Sequence, residues 1–335
     1  MLAERLRELI RARGPITFRD WMEAALYDPE SGYYNRRDLK RWGRAGDYRT
    51  SPERSELFAA TFARYFAKLY EELGRPSQWT IIEGGAGDGT FARRVQRALE
   101  QDYPRVLEAT RYLISEIQDA PPNPSNPCLY FSNELLDAFP VHRLVPDGEL
   151  YVTLDSENNF TWSVGPLSTP RLSQFLEEHS IELASGQTIE VNLAIDDWLT
   201  SLASKFVRGF VITVDYGAEA SELYDPALRP EGTLRAFSRH EFVDDVLSAP
   251  GEYDITSSVN WTQVKTTGER LGLRVVEFES QDRFLLRHGL LEELSHRLTR
   301  IDTEADKLRL TTDAREMILP GGMASSFQVL VQERR

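Results

Sequence analysis

Trp79-Thr80-Ile81-Ile82-Glu83-Gly84-Gly85-Ala86-Gly87-Asp88-Gly89-Thr90-Phe91-Ala92-Arg93-Arg94-Val95 is the stretch that decides the fold. A short apolar strand pattern ends in an acid, glycines alternate at 85, 87 and 89, and a helix pattern starts at Thr90. Glycine is needed where backbone turns tightly or approaches a ligand without a Cβ in the way. A helix start behind such a loop offers unpaired N–H groups and the positive end of a dipole. The dinucleotide fingerprint is G-x-G-x-x-G, whereas the register here is E-x-G-x-G-x-G. A strand–helix turn without a ligand would share the glycines. The strand before, the helix after and the acid at the strand end read together as a nucleotide-type pocket at the head of an α/β sheet.

Working outward, the spacing predicts alternating strands and helices: a strand over 79–83, a helix over 89–101 and a strand over 110–116. Further strands fall at Cys128 to Ser132, Phe210 to Val214, Leu271 to Phe278 and Phe327 to Val331. That alternation implies a mostly parallel sheet with helices on both faces. About 75 residues of helix and loop precede it, including a long helix from about Glu53 to Leu73 with Leu57, Phe58, Phe62, Phe66 and Leu69 on its apolar side. Short alternating strands at Tyr151 to Leu154 and Phe160 to Val164 lie in what reads as an insertion. The expected division is therefore an N-terminal helical extension over 1–75, a core over 76–140 and 205–335, and an inserted α+β substrate region over 141–204.

Composition narrows the partners. The 335-residue chain is 41% hydrophobic, enough for a sizeable core, and holds no apolar run of about 18 residues that would span a membrane. Its formal charge of −14 argues against a nucleic-acid partner, which demands a basic footprint. The local cluster Arg36, Arg37, Lys40, Arg41 and Arg44 reads as a solvated loop. Cys128 is the only cysteine, so the chain can form neither an internal disulfide nor a cysteine zinc site, and a reducing compartment fits. The five histidines are scattered without metal-ligand spacing, so no metal is expected.

In open α/β sheets ligands sit at the carboxyl ends of strands, and several strands here end in polar groups. Glu83 ends the first. Glu116 ends the second and can accept both hydroxyls of a ribose. Asn133-Glu134, followed by Asp137, ends the next. Two acids and an amide there suit a guanidinium, which is planar, forked and cationic, and which needs help to lose a proton. The same residues would also serve as a helix cap and first turn. Asp215-Tyr216-Gly217 ends the 210–214 strand and is a candidate for the other side of the pocket. His240 and Asp254 lie in a polar, Gly/Pro-punctuated stretch.

Taken in order, several segments resemble one family. They are Ile16-Thr17-Phe18-Arg19-Asp20-Trp21-Met22, Asp28-Pro29-Glu30-Ser31-Gly32-Tyr33-Tyr34 and Gly46-Asp47-Tyr48-Arg49-Thr50-Ser51-Pro52-Glu53. They continue with the glycine loop, Ser132 to Val141, Val214 to Gly217, Gly232-Thr233-Leu234-Arg235-Ala236 with His240, Pro250 to Trp261, and Gly322 to Leu330. This is similar to the MidA-type S-adenosylmethionine (SAM) methyltransferases, whose mitochondrial member is an arginine methyltransferase that assists complex I assembly. The resemblance implies a class I Rossmann-like core and SAM bound by Gly85, Gly87, Gly89 and Glu116, with Glu83 at the strand end and the Thr50-Ser51 loop over the cleft. It implies Asn133 and Glu134 near the transferred methyl; read from the residues alone, Asp137 is a further candidate for the orienting and base roles, and Asp215, Tyr216, His240 and Asp254 are the candidates for substrate contact, the last two equally readable as plain surface. The implied acceptor is an arginine on a protein, a respiratory-complex subunit by analogy. The expected compartment is bacterial cytoplasm, with the mitochondrial matrix as the alternative.

The sequence departs from the family pattern twice. Only a Pro/Asn-rich link, Pro121 to Pro127, stands where the family has a helix, a strand and further loop, so the adenine side of the pocket is expected to be shortened. Asn260 stands where an acid is more frequent. A non-catalytic assembly-factor-like binding protein on the same scaffold and a small-molecule methyltransferase are the competing readings. SAM titration separates the first of these from an enzyme.

Overall fold

The computed structural model describes residues 1–36, 55–116, 127–205, 207–238, 241–319 and 326–335. They form two compact units, each interrupted in sequence. One comprises 49–135, 199–217 and 265–335, and the other 1–48, 136–198 and 218–264.

The first unit is built on a sheet whose order is Arg274–Ser280, Phe327–Arg334, Gly209–Ala218, Cys128–Asn133, Trp79–Gly84 and Thr110–Ser115. The last four strands run parallel, and the strand Phe327–Arg334 is antiparallel to both its neighbours. The mostly parallel α/β reading is therefore right. Among the described residues Thr110–Ser115 is the outer strand on its side of the sheet. The link that was expected to shorten the pocket lies, over 117–126, outside the described residues.

Period-2 alternation explains which side of the sheet is apolar. Ile81, Leu129, Phe131, Phe210, Ile212, Val214, Val329 and Val331 point to one face and are buried there. The helix Glu56–Glu72 lays Leu57, Phe58, Phe62, Phe66 and Leu69 into the same cluster. Its start is fixed by Ser55, whose hydroxyl accepts the Leu57 N–H at 3.1 Å. Phe91, from the helix Thr90–Asp102, stacks on Phe131 at 4.4 Å between centroids. Burial of each such ring contributes roughly 1.5–3 kcal/mol. The long helix Glu56–Glu72 clusters with the sheet unit, where its apolar stripe is buried.

The second unit carries a five-stranded antiparallel sheet. Ile16–Thr17, Gly148–Leu154, His142–Val145 and Ile189–Val191 follow one another, and Phe160–Gly165 pairs with Gly148–Leu154. The helix Phe18–Tyr27 starts on Thr17, whose Oγ1 accepts the Asp20 N–H at 3.1 Å. A three-stranded sheet of Glu241–Phe242, Arg235–Ser238 and Asp254–Thr256 completes the unit. Residues 218–264, which the sequence reading placed in the core, cluster with this unit instead. Among the described residues no helix is long and apolar enough to cross a membrane.

Candidate functional site

Within the sheet unit, the glycine loop leaves the strand Trp79–Gly84 and enters the helix Thr90–Asp102. Gly85, Gly87 and Gly89 have φ of 67°, 56° and 72°, the left-handed region that a side chain disfavours. Gly84 is fixed for a different reason. A Cβ there would stand 1.9 Å from the Tyr130 hydroxyl. Asp88, which the sequence reading passed over, anchors the helix start by accepting the Thr90 N–H and hydroxyl, each at 2.8 Å.

Glu116 reaches the loop from the end of the neighbouring strand, and its Oε1 accepts the Gly87 N–H at 3.1 Å. A carboxylate keeps further acceptor sites beyond one such bond, so this placement remains compatible with a ribose diol. Glu83 is different. It faces the apolar side of the sheet, in register with Phe131, and is buried. Burial pushes its carboxyl up to about 8, against the Tyr112 hydroxyl, which donates to Oε2 at 2.8 Å. The nearby charges of Glu116 and Asp88 push it the same way as burial. Tyr112 was missed in sequence because only strand register brings it beside Glu83.

This arrangement carries a measurable consequence. Between the ordinary value of 4.5 and about 8, the unfolded chain releases the Glu83 proton while the folded protein keeps it. Stability from this group therefore falls as pH rises through that window, by about 1.4 kcal/mol per pH unit at the steepest. Glu83→Gln removes the slope. The variant should gain on the wild type from pH 5 to 8 in thermal melts and hold a constant lead above. A difference that does not change with pH would show that Glu83 is not held neutral.

Asn133 and Glu134 end the central strand Cys128–Asn133. Glu134 has φ 53°, a left-handed backbone that costs a non-glycine residue about 1–2 kcal/mol. Its N–H is donated to the Val214 carbonyl at 2.9 Å, and Asn133 Nδ2 donates to Glu134 Oε1 at 2.9 Å. No helix follows: residues 134–140 are turns and bends. The helix-capping reading of Asn133 and Asp137 is thereby corrected. The left-handed Glu134 sends the chain away from a helical path, and Pro140 closes the segment.

Asp215 is fully buried, and its carboxylate serves two backbone amides, Tyr216 N–H on Oδ1 at 2.9 Å and Leu135 N–H on Oδ2 at 3.2 Å. That position suits a structural anchor better than the substrate contact expected of it. Tyr216 is half-buried with its ring edge-on to Phe327 at 5.4 Å. On the other face of the sheet, Ser132 and Thr213 are register partners, and their hydroxyls are buried with no hydrogen-bond partner among the described residues. Asn133 Oδ1 is in the same condition. Asn133 Oδ1, orphaned at the carboxyl end of its strand near the glycine loop, fits a polar ligand such as SAM.

The family model described as "Putative S-adenosyl-L-methionine-dependent methyltransferase" matches residues 61–121 and 116–279. The chain belongs to this family. It is similar to the Drosophila melanogaster protein named "Protein arginine methyltransferase NDUFAF7 homolog, mitochondrial", at 27% identity over 325 residues, or 81% of this chain and 70% of the relative. The Bos taurus protein of the corresponding name is 24% identical over 372 residues, 96% of this chain and 80% of its own length. Among solved structures, a COG1565 superfamily member from Burkholderia thailandensis bound to S-adenosyl-homocysteine aligns with TM-score 0.84 at 26% identity. That alignment covers 99% of this chain and 92% of the other. The chain is a SAM-dependent methyltransferase with a class I Rossmann-like fold.

The remaining residues of the methyltransferase named from sequence divide between its two units. In the other unit Asp137 is buried, and its carbonyl accepts the Ser257 N–H at 2.9 Å. Asp254 is also buried, and the Tyr34 hydroxyl donates to its Oδ1 at 2.6 Å. That bond joins two of the family-resembling segments and gives Asp254 a structural duty. Asn260 caps a helix, its Oδ1 accepting the Gln263 N–H at 3.2 Å while its amide donates to the Tyr224 hydroxyl at 3.3 Å. Thr50, Ser51 and His240 lie outside the described residues. Of the basic cluster only Arg36 is described, and it pairs with Glu252. Burial pushes the Cys128 thiol up to about 12, which leaves it unreactive at neutral pH.

Sequence spacing showed no metal set, yet folding gathers two groups, Asp102 with Glu293 and His296, and Glu277 with Glu279 and His288. Arginines already lie against both: Arg300 on Asp102, and Arg287 on Glu277 and Glu279. A cavity of about 330 Å³ lined by Arg64, Tyr65, Lys68, Glu277, Arg287 and His288 shares no residue with the candidate site.

Proposed function

We propose that this methyltransferase transfers the methyl group of SAM to a guanidinium nitrogen of an arginine on a protein. The observation that carries the reading is Glu134 at the end of the central strand, held in a left-handed backbone with Asn133 hydrogen-bonded to its carboxylate. The printed names of the relatives, protein arginine methyltransferases, support the same acceptor.

Bound SAM would supply an electrophilic methyl. The work assigned to this chain is alignment and electrostatics. Gly85, Gly87, Gly89 and Glu116 hold the cofactor, with Glu83 beneath the loop and Thr50 and Ser51 in the loop assigned to cover it. Glu134 accepts guanidinium N–H groups and takes the proton that the attacking nitrogen sheds as the N–C bond forms, since methyl transfer from the sulfonium, which leaves as the neutral thioether, would otherwise put a second positive charge on the guanidinium. Asn133 orients that carboxylate, and Asp137 is its second acid. We assign acceptor selection to Tyr216, His240 and Asp254 and to the inserted region over 141–204. A subunit of a respiratory complex is the specific acceptor we propose. The compartment is a bacterial cytoplasm or, as in the names of the relatives, the mitochondrion.

Calorimetric titration with SAM tests the cofactor, and absence of binding at millimolar SAM would sink the reading. Mass spectrometry of peptides from cells with and without the gene tests the acceptor. Unchanged arginine methylation there would leave the transferase intact and remove arginine as its substrate.

A further inference from the structure

We infer that Asp215 is a positioning residue that aims the Glu134 carboxylate by pinning the peptide that follows it. The inference rests on the role proposed for Glu134 above. A glutamate in left-handed backbone relaxes unless its neighbours hold it. Here two consecutive amides are held by two consecutive residues of the adjoining strand. Glu134 N–H goes to the Val214 carbonyl at 2.9 Å, and Leu135 N–H to Asp215 Oδ2 at 3.2 Å. The first bond continues an ordinary sheet ladder. The second needs a side chain, because the chain has turned away from the sheet by Leu135.

The residue type follows from the two backbone donors it serves among the described residues. Tyr216 N–H and Leu135 N–H both point at the same side chain, one at each oxygen. A carboxylate offers two acceptor oxygens, whereas asparagine offers one and sets an NH₂ against the other donor. Asp215 is completely buried, so water does not compete for either bond. The pinned peptide has a second consequence. A Cβ on Gly85 would lie 3.0 Å from Leu135 Cδ1, so the leucine held by Asp215 also abuts the cofactor loop. One buried carboxylate thus fixes the turn that carries Glu134 and the side chain that backs Gly85.

The test uses two SAM analogues, so it needs no acceptor. S-adenosyl-homocysteine has no group at the methyl position, whereas sinefungin presents an ammonium there. The ratio of their affinities reads how well a carboxylate is aimed at that point. A well-placed charge-assisted contact gives a preference for sinefungin of about tenfold. Glu134→Gln should abolish that preference. Asp215→Asn should abolish it equally, whatever the change in absolute affinity for S-adenosyl-homocysteine that follows from a looser Leu135 behind Gly85, and the double variant should lose no more of the preference than either single one. If Asp215→Asn weakens both analogues alike and keeps the preference, Asp215 is merely structural and the inference is wrong. If Glu134→Gln keeps the preference, the role of Glu134 fails and the inference with it. Binding of neither analogue to the wild type would overturn the cofactor reading itself.

Should Asp215→Asn fail to fold, Glu134→Gly provides the second measurement. Glycine carries no strain at this φ, so E134G should rescue folding of D215N. Where all the variants fold, the melting-temperature loss from D215N should be smaller in the E134G background. Equal losses in both backgrounds, or no rescue, would show that Asp215 does not act on Glu134.

Discussion

Gly87→Val is expected to weaken SAM binding by at least about a hundredfold, or about 2.7 kcal/mol. Two effects add. Gly87 has φ 56°, where any Cβ is strained and a β-branched side chain, stiff at χ1, is worst placed. Its N–H is also the donor that Glu116 accepts at 3.1 Å, so a loop that shifts to relieve the valine releases the carboxylate assigned to the ribose. Gly272→Ala is the matching control. Its φ is 83° in the same unit, and nothing lies within 4 Å of the added Cβ. It should lower the melting temperature slightly and leave SAM affinity unchanged. Calorimetry and thermal melts on both variants decide the matter. Wild-type affinity in Gly87→Val would move the cofactor away from this loop.

Glu134 gives the second large effect, with opposite signs for activity and stability. Glu134→Gln should lower the methyl-transfer rate by about a hundredfold or more, the usual contribution of a positioned proton acceptor. Glu134→Gly should lose at least as much. Yet it relieves about 1–2 kcal/mol of left-handed strain against a glycine entropy cost of about 0.5–1 kcal/mol. Its melting temperature should therefore equal or exceed that of the wild type. Transfer of a labelled methyl group to an acceptor extract, set beside the melts, reads both quantities. An active Glu134→Gly, or one that is clearly destabilised, would mean that the strained backbone has another cause.

The parts of the fold that could be read from sequence are those written in local chemistry. Alternating glycines can tolerate left-handed backbone, and all three adopt it. An acid at the end of the next strand falls beside the loop because a strand–helix–strand unit has one handedness, and Glu116 meets the Gly87 N–H there. Contacts that depend on register or on distant chain segments could not be read. Glu83 was seen as a polar strand end, but its alternation parity puts it beside Phe131 on the apolar face, where a tyrosine from the next strand meets it. Asp254 accepts a hydrogen bond from Tyr34, 220 residues away, a contact no local pattern shows. Asp215 holds two backbone amides, one of them 80 residues away, which no local pattern announces. The grouping of helices into units has the same limit: amphipathic stripes announce that a helix is buried, not which core it joins.

The strand Phe327–Arg334 lies between Arg274–Ser280 and Gly209–Ala218, inside the sheet and not at its rim. During synthesis, every earlier strand of that sheet emerges from the ribosome before the one that joins its two sides. Until residue 334 is free, Gly209–Ala218 lacks this partner, and a long apolar edge such as Val211 to Val214 is a template for pairing with other chains. The sheet is thus dominated by late, long-range closure, which slows folding. Loss of only the final strand would remove a central joint of the sheet, so a chain cut there is a candidate for chaperone capture and degradation, not a slightly shorter enzyme.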